Sequence, residues 1–292
     1  RHHVANGDPQ AFVINRVAFV ASIANKAQDA GATYEVGEYI QDIQHTSKGV
    51  AVHTRTHSGN KTYHGKMLVI ASGSGSALVR MAGLTGRERS DYMMGCQTKV
   101  VTGRLEDTEV YLGDSIAPGS FGWLVPLSEG YALAGMASRH KLNGHMNNFL
   151  SGLKTQGKVK SMVSEPKRWS IPIKPLDRTY GNRILVSGDS AGFVKPTTGG
   201  GIYYALISGE IVANAVDRAI KADDFSERTL KSYEKEWKAV FGKELRIGYY
   251  ARLLYESLND NQVEYLVSQF LRTNIQKELL SAGEFAFDWH SR

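Results

Sequence analysis

The chain opens with helical spacing and soon passes into alternation. After Asn15-Arg16, residues Phe19, Ile23, Ala24, Ala27 and Ala30 recur every three or four positions, which predicts an amphipathic helix. Gly31 stands where a helix end favours a left-handed residue. Residues 11–14 and 32–36 read as short strands on either side of that helix. Residues 43–54 and 61–70 alternate, predicting a β-meander that turns at Ser58-Gly59-Asn60. Its last stretch, Met67-Leu-Val-Ile-Ala71, reads as a buried strand running into Ser72-Gly73-Ser74-Gly75-Ser76. From 92 to 139 the pattern is strand-like: 93–102, 109–113, 121–126 and 131–137, with turn signals at Pro118-Gly119 and Ser128-Glu129-Gly130. This predicts an antiparallel sheet able to carry a ligand on one face.

A short helix is expected at 145–155 and a strand at 169–175. Residues 184–186 form an apolar, strand-type run, and 202–216 a helix-type run of small and apolar residues. Beyond 219 the pattern is helical. Ser226 is an N-cap signal, and Leu230, Tyr233, Trp237 and Val240 mark one helix face. The periodicity continues over 245–258 and 262–270. Phe270 and Leu271, with Leu279 and Leu280, fit a helical cap on the core better than a membrane-facing surface.

Composition narrows the classes. The 292 residues suffice for one large domain or two moderate ones. A single cysteine, Cys96, rules out an internal disulfide, fits a reducing compartment and, in a strand, reads as core. No apolar run approaches the ~20 residues of a membrane span, and the first residues carry no secretory signal. The net charge of +6 suits an anionic cofactor or lipid surface. Lys and Arg are scattered, which argues against nucleic acid. His2-His3 read as solvated, and His53 and His57 as strand and turn residues rather than a metal pair, so no metal site is expected.

The chemistry concentrates between the 184–186 strand and the helix that follows. Gly188, Asp189, Gly192, Pro196 and Gly199 to Gly201 lie between them. Glycines let backbone approach a ligand closely. A helix N-terminus offers unpaired N–H groups and a positive dipole end to developing negative charge. Asp189 can accept hydrogen bonds from sugar-like hydroxyls. A plain connector needs neither the acid nor three consecutive glycines.

Gly188-Asp-Ser-Ala-Gly192 followed by Pro196-Thr-Thr-Gly-Gly-Gly-Ile202 resembles the second flavin motif of the geranylgeranyl reductase family, FAD enzymes built like aromatic hydroxylases. Phe121-Gly-Trp123-Leu-Val-Pro126 resembles the family's Tyr-x-Trp-x-Phe-Pro motif, with apolar replacements at Phe121 and Val125. Residues 71–80 resemble its Ala-Asp-Gly-x-x-Ser-x-Val-Arg segment, with Ser72 in place of the acid. The likeness extends from Arg16 nearly to the end. It implies an α/β (mixed α+β) flavoprotein with an FAD-binding part at 1–91, an inserted antiparallel substrate sheet at 92–180, a second FAD-binding part at 181–220 and a helical region at 221–292. It implies that Arg16, Ile40, Asp189, Gly201 and Ile202 bind FAD. It also implies that Phe121, Trp123 and Pro126 line a slot for an isoprenoid chain. A prenylated lipid or pigment substrate is implied as well, with NAD(P)H or a ferredoxin-like electron donor and peripheral membrane contact in the cytoplasm.

An enzyme of this type begins with a strand, a G-x-G-x-x-G turn and a helix that grips the pyrophosphate. No such motif occurs here, and the first residue is Arg, so the chain is expected to be truncated at its N-terminus. No catalytic proton donor stands out. A flavin monooxygenase on the same scaffold and a non-catalytic lipid-binding relic are the alternatives.

Overall fold

A computed structural model describes residues 13–46, 48–84, 91–103, 105–128, 130–140 and 142–272. His2-His3, Ala11-Phe12, Glu129, Leu279 and Leu280 lie outside the described residues. The chain forms two units, Arg1–Leu68 and Val69–Arg292. The described residues 69–84 and 91, grouped by sequence with the first part, fall within the second unit.

In the first unit, helix α1 (Arg16–Asp29) is capped by Asn15, whose side chain accepts from the Ala18 N–H at 3.2 Å. Gly31 follows the helix at φ +98° and donates to the Gln28 carbonyl. Strands β1 (Tyr39–His45), β2 (Val50–Thr56) and β3 (Gly59–Gly65) form an antiparallel sheet in that order. Thr56 pairs with Gly59, so the hairpin loop is His57-Ser58, one residue earlier than the turn signal suggests. The strand expected at 32–36 is irregular and exposed, because no strand pairs with it among the described residues. Val13 and Ile14 are likewise irregular. Glu38 accepts from Thr54 at 2.6 Å, Lys61 at 2.7 Å and Tyr63 at 2.8 Å. These bonds, Lys61's foremost, hold its carboxyl down at about 2.

The second unit begins within β4 (Leu68–Ile70), at Val69, and continues with the short helix α2 (Leu78–Met81). A six-stranded antiparallel sheet follows, from β5 (Tyr92–Thr102), β6 (Glu109–Leu112), β7 (Phe121–Pro126) and β8 (Tyr131–Ser138). Helix α3 (Asn143–Thr155) comes next, then β9 (Val159–Met162) and β10 (Lys167–Pro172). The sheet order is β10-β5-β8-β7-β6, with β9 also on β5. Alternation gives the sheet two unlike faces. On one, Cys96, Val100, Leu124, Ala134 and Met136 are buried with Met146, Phe149 and Leu153 of α3. On the other lie Gly95, Gln97, Gly135, Phe121, Trp123 and Trp169, with Met93, Ala137 and Ile171 buried at one end against Val194 and Tyr249.

Strands β11 (Tyr180–Gly181) and β12 (Ile184–Val186) join β4 in a small sheet ordered β11-β12-β4. Ile184, Leu185 and Val186 are fully buried. Helices α4 (Ile202–Ala222), α5 (Glu227–Trp237), α6 (Lys243–Glu256) and α7 (Asp260–Arg272) complete the unit. None of the described helices is long and apolar enough to cross a membrane.

The face expected through Leu230, Tyr233, Trp237 and Val240 breaks at its last member. Lys238–Gly242 forms a π turn, which adds a residue to the helical repeat. Val240 is therefore 46% exposed, and Phe241, at 1%, takes the inward place. Phe241 joins Phe193, Tyr204 and Trp237 in an aromatic cluster with ring centroids 4.7–5.6 Å apart.

Candidate functional site

Strand β12 ends at Val186, and the chain then turns through a single 3₁₀ turn, Gly188–Ala191. Two constraints fix that turn. The Ser187 N–H donates to the Ile70 carbonyl of β4, and the Ser187 hydroxyl donates to Ser208 on α4. Gly188 sits at φ +60° and Gly192 at φ +77°. A Cβ on Gly192 would stand 2.4 Å from the Lys174 carbonyl oxygen, so only glycine lets these two backbone segments cross.

From Gly192 the chain dips into the core at Phe193 and Val194 and returns as the loop 195–201. That loop is bonded to itself: Gly199 N–H to the Lys195 carbonyl at 2.8 Å, and Lys195 N–H to the Gly200 carbonyl at 3.0 Å. Helix α4 then starts at Ile202, with Gly201, which has no side chain to cap with, as its N-cap. Asp189 folds back toward this point. Its Oδ1 would lie 2.5 Å from a Cβ on Gly201. A carboxylate, a glycine lacking a Cβ and the positive end of a 21-residue helix thus meet in one place.

A second loop borders this cradle. Ser72 Oγ lies 3.3 Å from Ser190 Oγ, and Ser190 donates to the Gly73 carbonyl at 3.0 Å. Ser72, where the family pattern has an acid, thus still makes a polar contact with the Asp189 turn. Ser74 reaches Ser170 of β10 at 2.8 Å.

The cradle abuts the open sheet face. A Cβ on Gly199 would touch Ile171 at 3.3 Å, and Val194 packs with Met93, Ala137 and Ile171. Beyond them the face is aromatic. The Trp123 indole covers Gly135, where a Cβ would lie 2.5 Å from the ring. The Trp169 indole covers Gly95 with the same 2.5 Å spacing. Each glycine leaves a shallow seat on which an indole lies flat against the backbone. Trp123 donates its Nε1–H to Gln97 at 2.9 Å, which fixes the ring, and Phe121 stands 5.8 Å away, centroid to centroid. The result is an apolar surface that begins at the glycine-rich loop and runs along the sheet.

Helix α6 braces this junction. Arg252, almost fully buried, donates to the Gly119 carbonyl at 2.7 Å and the Thr197 carbonyl at 3.4 Å, and to Glu256 at 2.8 Å. Gly248 lies against Pro196, and Tyr255 donates to the Ser120 carbonyl at 2.9 Å. One helix thus ties the 195–201 loop to the turn that delivers Phe121. Tyr249 packs against the Met93 cluster and donates to Asp91 at 3.0 Å. Burial and that carboxylate push its hydroxyl pKa up.

Among the residues singled out by sequence, Asp189, Gly201 and Ile202 meet at the cradle, and Phe121 and Trp123 share the open face. Pro126 pairs with Ala132, and alternation turns it toward the opposite, helix-covered face. Arg16 opens α1, exposed, and Ile40 lies half-buried on β1 opposite Thr54; both belong to the first unit. Cys96 sits in the sealed core, where burial raises its thiol pKa. Sequence reasoning did not single out Trp169, Tyr249 or Arg252. Alternation within 169–175 places Trp169 beside Ile171, but nothing in the chain names the glycine it would cover. Arg252 falls at helical spacing from Gly248 and Glu256, a pattern that reads as surface until its partners are known.

No family model matches the chain. Over 272 residues it is 29% identical to a digeranylgeranylglycerophospholipid reductase of Methanocaldococcus jannaschii, covering 90% of this chain and 69% of that protein. The chain is a homologue of the digeranylgeranylglycerophospholipid reductases. The crystal structure of a geranylgeranyl bacteriochlorophyll reductase-like protein from Thermoplasma acidophilum superposes with a TM-score of 0.79 at 26% identity, over 87% of this chain and 66% of that one. The flavin-dependent halogenase CmlS shares the fold alone, with a TM-score of 0.66 at 14% identity over 96% of this chain and 55% of its own. The chain therefore has the α/β fold of these flavoproteins and spans about two thirds of the length of the two reductase-type relatives.

Proposed function

We propose that the chain carries the larger part of an FAD-dependent reductase that saturates carbon–carbon double bonds in the geranylgeranyl chains of a lipid or pigment precursor. The observation that carries this reading is the junction itself: the loop that leads to the Asp189–Gly201 cradle touches Ile171 on the sheet face where two indoles lie over glycines. A flavin fits the cradle chemically. Its polyhydroxylated chain needs an acceptor, which Asp189 supplies, and its electron-rich edge needs donors, which the backbone N–H groups at the start of α4, at Gly201 and Ile202, supply. Arg16 and Ile40, on the first unit, are proposed to contact the remainder of the FAD.

When bound and reduced, FAD supplies the reducing equivalents for the alkene. The chain's own residues orient and exclude. Phe121, Trp123 and Trp169 hold an extended apolar chain against the sheet, while the buried Ile171 and Val194 fix the sheet against the loop. The positive end of α4 stabilises negative charge that develops at the cradle. A prenylated substrate, an electron donor of NAD(P)H or ferredoxin type, and action in the cytoplasm at a membrane surface complete the proposal. A monooxygenase uses the same scaffold, but sequence relatives named as reductases align over 90% of the chain and favour reduction.

The test is made on the full-length protein. Its visible spectrum is expected to show oxidised-flavin bands, and Asp189→Ala is expected to weaken FAD binding about tenfold or more. Anaerobic incubation with a geranylgeranyl lipid and a chemical reductant should add two mass units per bond reduced. A colourless full-length protein that fails to take up added FAD overturns the reading. Substrate-dependent oxygen consumption with hydroxylated product moves it to the monooxygenase.

A further inference from the structure

Helix α6 buries charge and exposes large apolar groups. Its inward arc carries Glu244 at 3% exposure and Arg252 at 2% beside Leu245 and Gly248, with Tyr249, Tyr255 and Glu256 half-buried. Its outward arc carries Ile247, Leu253 and, at 64% exposure each, Tyr250 and Leu254. A helix on a water-facing surface shows the reverse order. The charges on the outward arc are also one-sided. Lys243 and Arg246 are exposed there, whereas both acids of α6 turn inward, Glu256 onto Arg252 and Arg139. Helix α7 exposes Tyr265, Leu266 and Phe270 but also the acids Asp260 and Glu264, so the one-sided charge belongs to α6.

We infer that the outward arc of α6 is a docking face for an anionic lipid bilayer. Tyr250 and Leu254 enter the headgroup boundary, and Lys243 and Arg246 meet lipid phosphates. The composition fits an interfacial helix, with apolar groups in the middle and cations beside them. A bilayer is favoured over a protein partner because two cations with no acid among them match a uniformly anionic sheet. The location adds to the case. The inward arc of the same helix holds Pro196 and Thr197 beside the cradle and Gly119 beside Phe121. Docking through α6 would hold the open aromatic face close to the bilayer from which a prenylated lipid must come. This last step rests on the reductase reading, whereas the docking face itself does not.

The test is sedimentation of the full-length protein with phosphatidylcholine vesicles containing about 30% phosphatidylglycerol, and with vesicles of phosphatidylcholine alone. Preferential binding to the anionic vesicles is expected. Tyr250→Ser with Leu254→Ser should weaken it about tenfold or more, and Lys243→Glu with Arg246→Glu should abolish the anionic preference. Flavin content and turnover on a detergent-dispersed substrate should not change in these variants. Loss of vesicle binding with both intact therefore tests the face separately from the enzyme. Three results overturn the proposal. In the first, anionic vesicles do not bind, or the variants bind them as tightly as the parent. In the second, light scattering shows that Tyr250→Ser with Leu254→Ser dissociates a dimer while vesicle binding is unchanged. In the third, vesicles bind only after residues 273–292 are removed, which would make the chain's own segment the occupant.

Discussion

The two faces of the six-stranded sheet are made by the same strands and do different work. One is closed by α3 with Met136, Leu124 and Leu153 at 0–1% exposure, a core in which each apolar group is removed from water. The other bears equally apolar residues, yet Trp169 remains 39% exposed and Trp123 half-buried. The difference lies in the glycines. On the sealed face, branched and long side chains interlock with a helix. On the open face, Gly95 and Gly135 hold two indoles down against the backbone, so the surface is smooth there, and α6 covers its Met93–Ala137–Ile171 end through Tyr249. Alternation of side chains allows one sheet to be both scaffold and binding surface.

The contrast can be broken most strongly from the sealed side. Leu153→Ala should cost about 3 kcal/mol of stability, read by urea unfolding, because it leaves a cavity between α3 and the sheet. It should leave the flavin spectrum of the folded fraction unchanged. On the open side, Trp123→Ala should raise KM for a long prenyl substrate about tenfold, with a smaller stability loss than Leu153→Ala. Equal stability losses in the two variants would mean that the open face is ordinary core. Trp169→Ala should raise KM by roughly threefold, since the indole is more exposed than that of Trp123. The smallest effect concerns Cys96. Burial pushes its thiol pKa up, with Arg168 opposing in part, so at neutral pH it is held in the protonated form. A thiol reagent at pH 7.5 should label it far more slowly than it labels the urea-unfolded chain. Rapid labelling of the native protein would show that the sealed face is not closed.

Much of this arrangement was legible in the chain. Strands β5 to β8 fall within a residue or two of the runs read from alternation, and α4 begins at Ile202, where the triple glycine ends. These elements are local: periodicity and turn residues define them. The parts that were not legible depend on partners. Residues 32–36 have strand composition, but no strand pairs with them among the described residues. Pro126 belongs to the same motif as Phe121 and Trp123, yet one step of alternation moves it to the other face. Val240 follows the helical spacing of Trp237, but the π turn gives its place to Phe241. Arg252 reads as a solvated cation until two carbonyls from distant loops, at Gly119 and Thr197, are found beside it. In each case the residue type was right for several environments, and a tertiary neighbour chose among them.

The π turn at Lys238–Gly242 acts as a phase setting between two helices that run nearly end to end. One additional residue rotates the downstream helix by about 100°. Upstream, the phase is set by the aromatic cluster around Trp237. Downstream, it points Arg252 at the loops and Leu254 outward. Without the extra residue, both demands could not be met by one continuous helix. A single-residue change in length at this point would therefore act like a turn of α6 by about 100° about its own axis, swinging Arg252 off the loops while every side chain on the helix stayed the same.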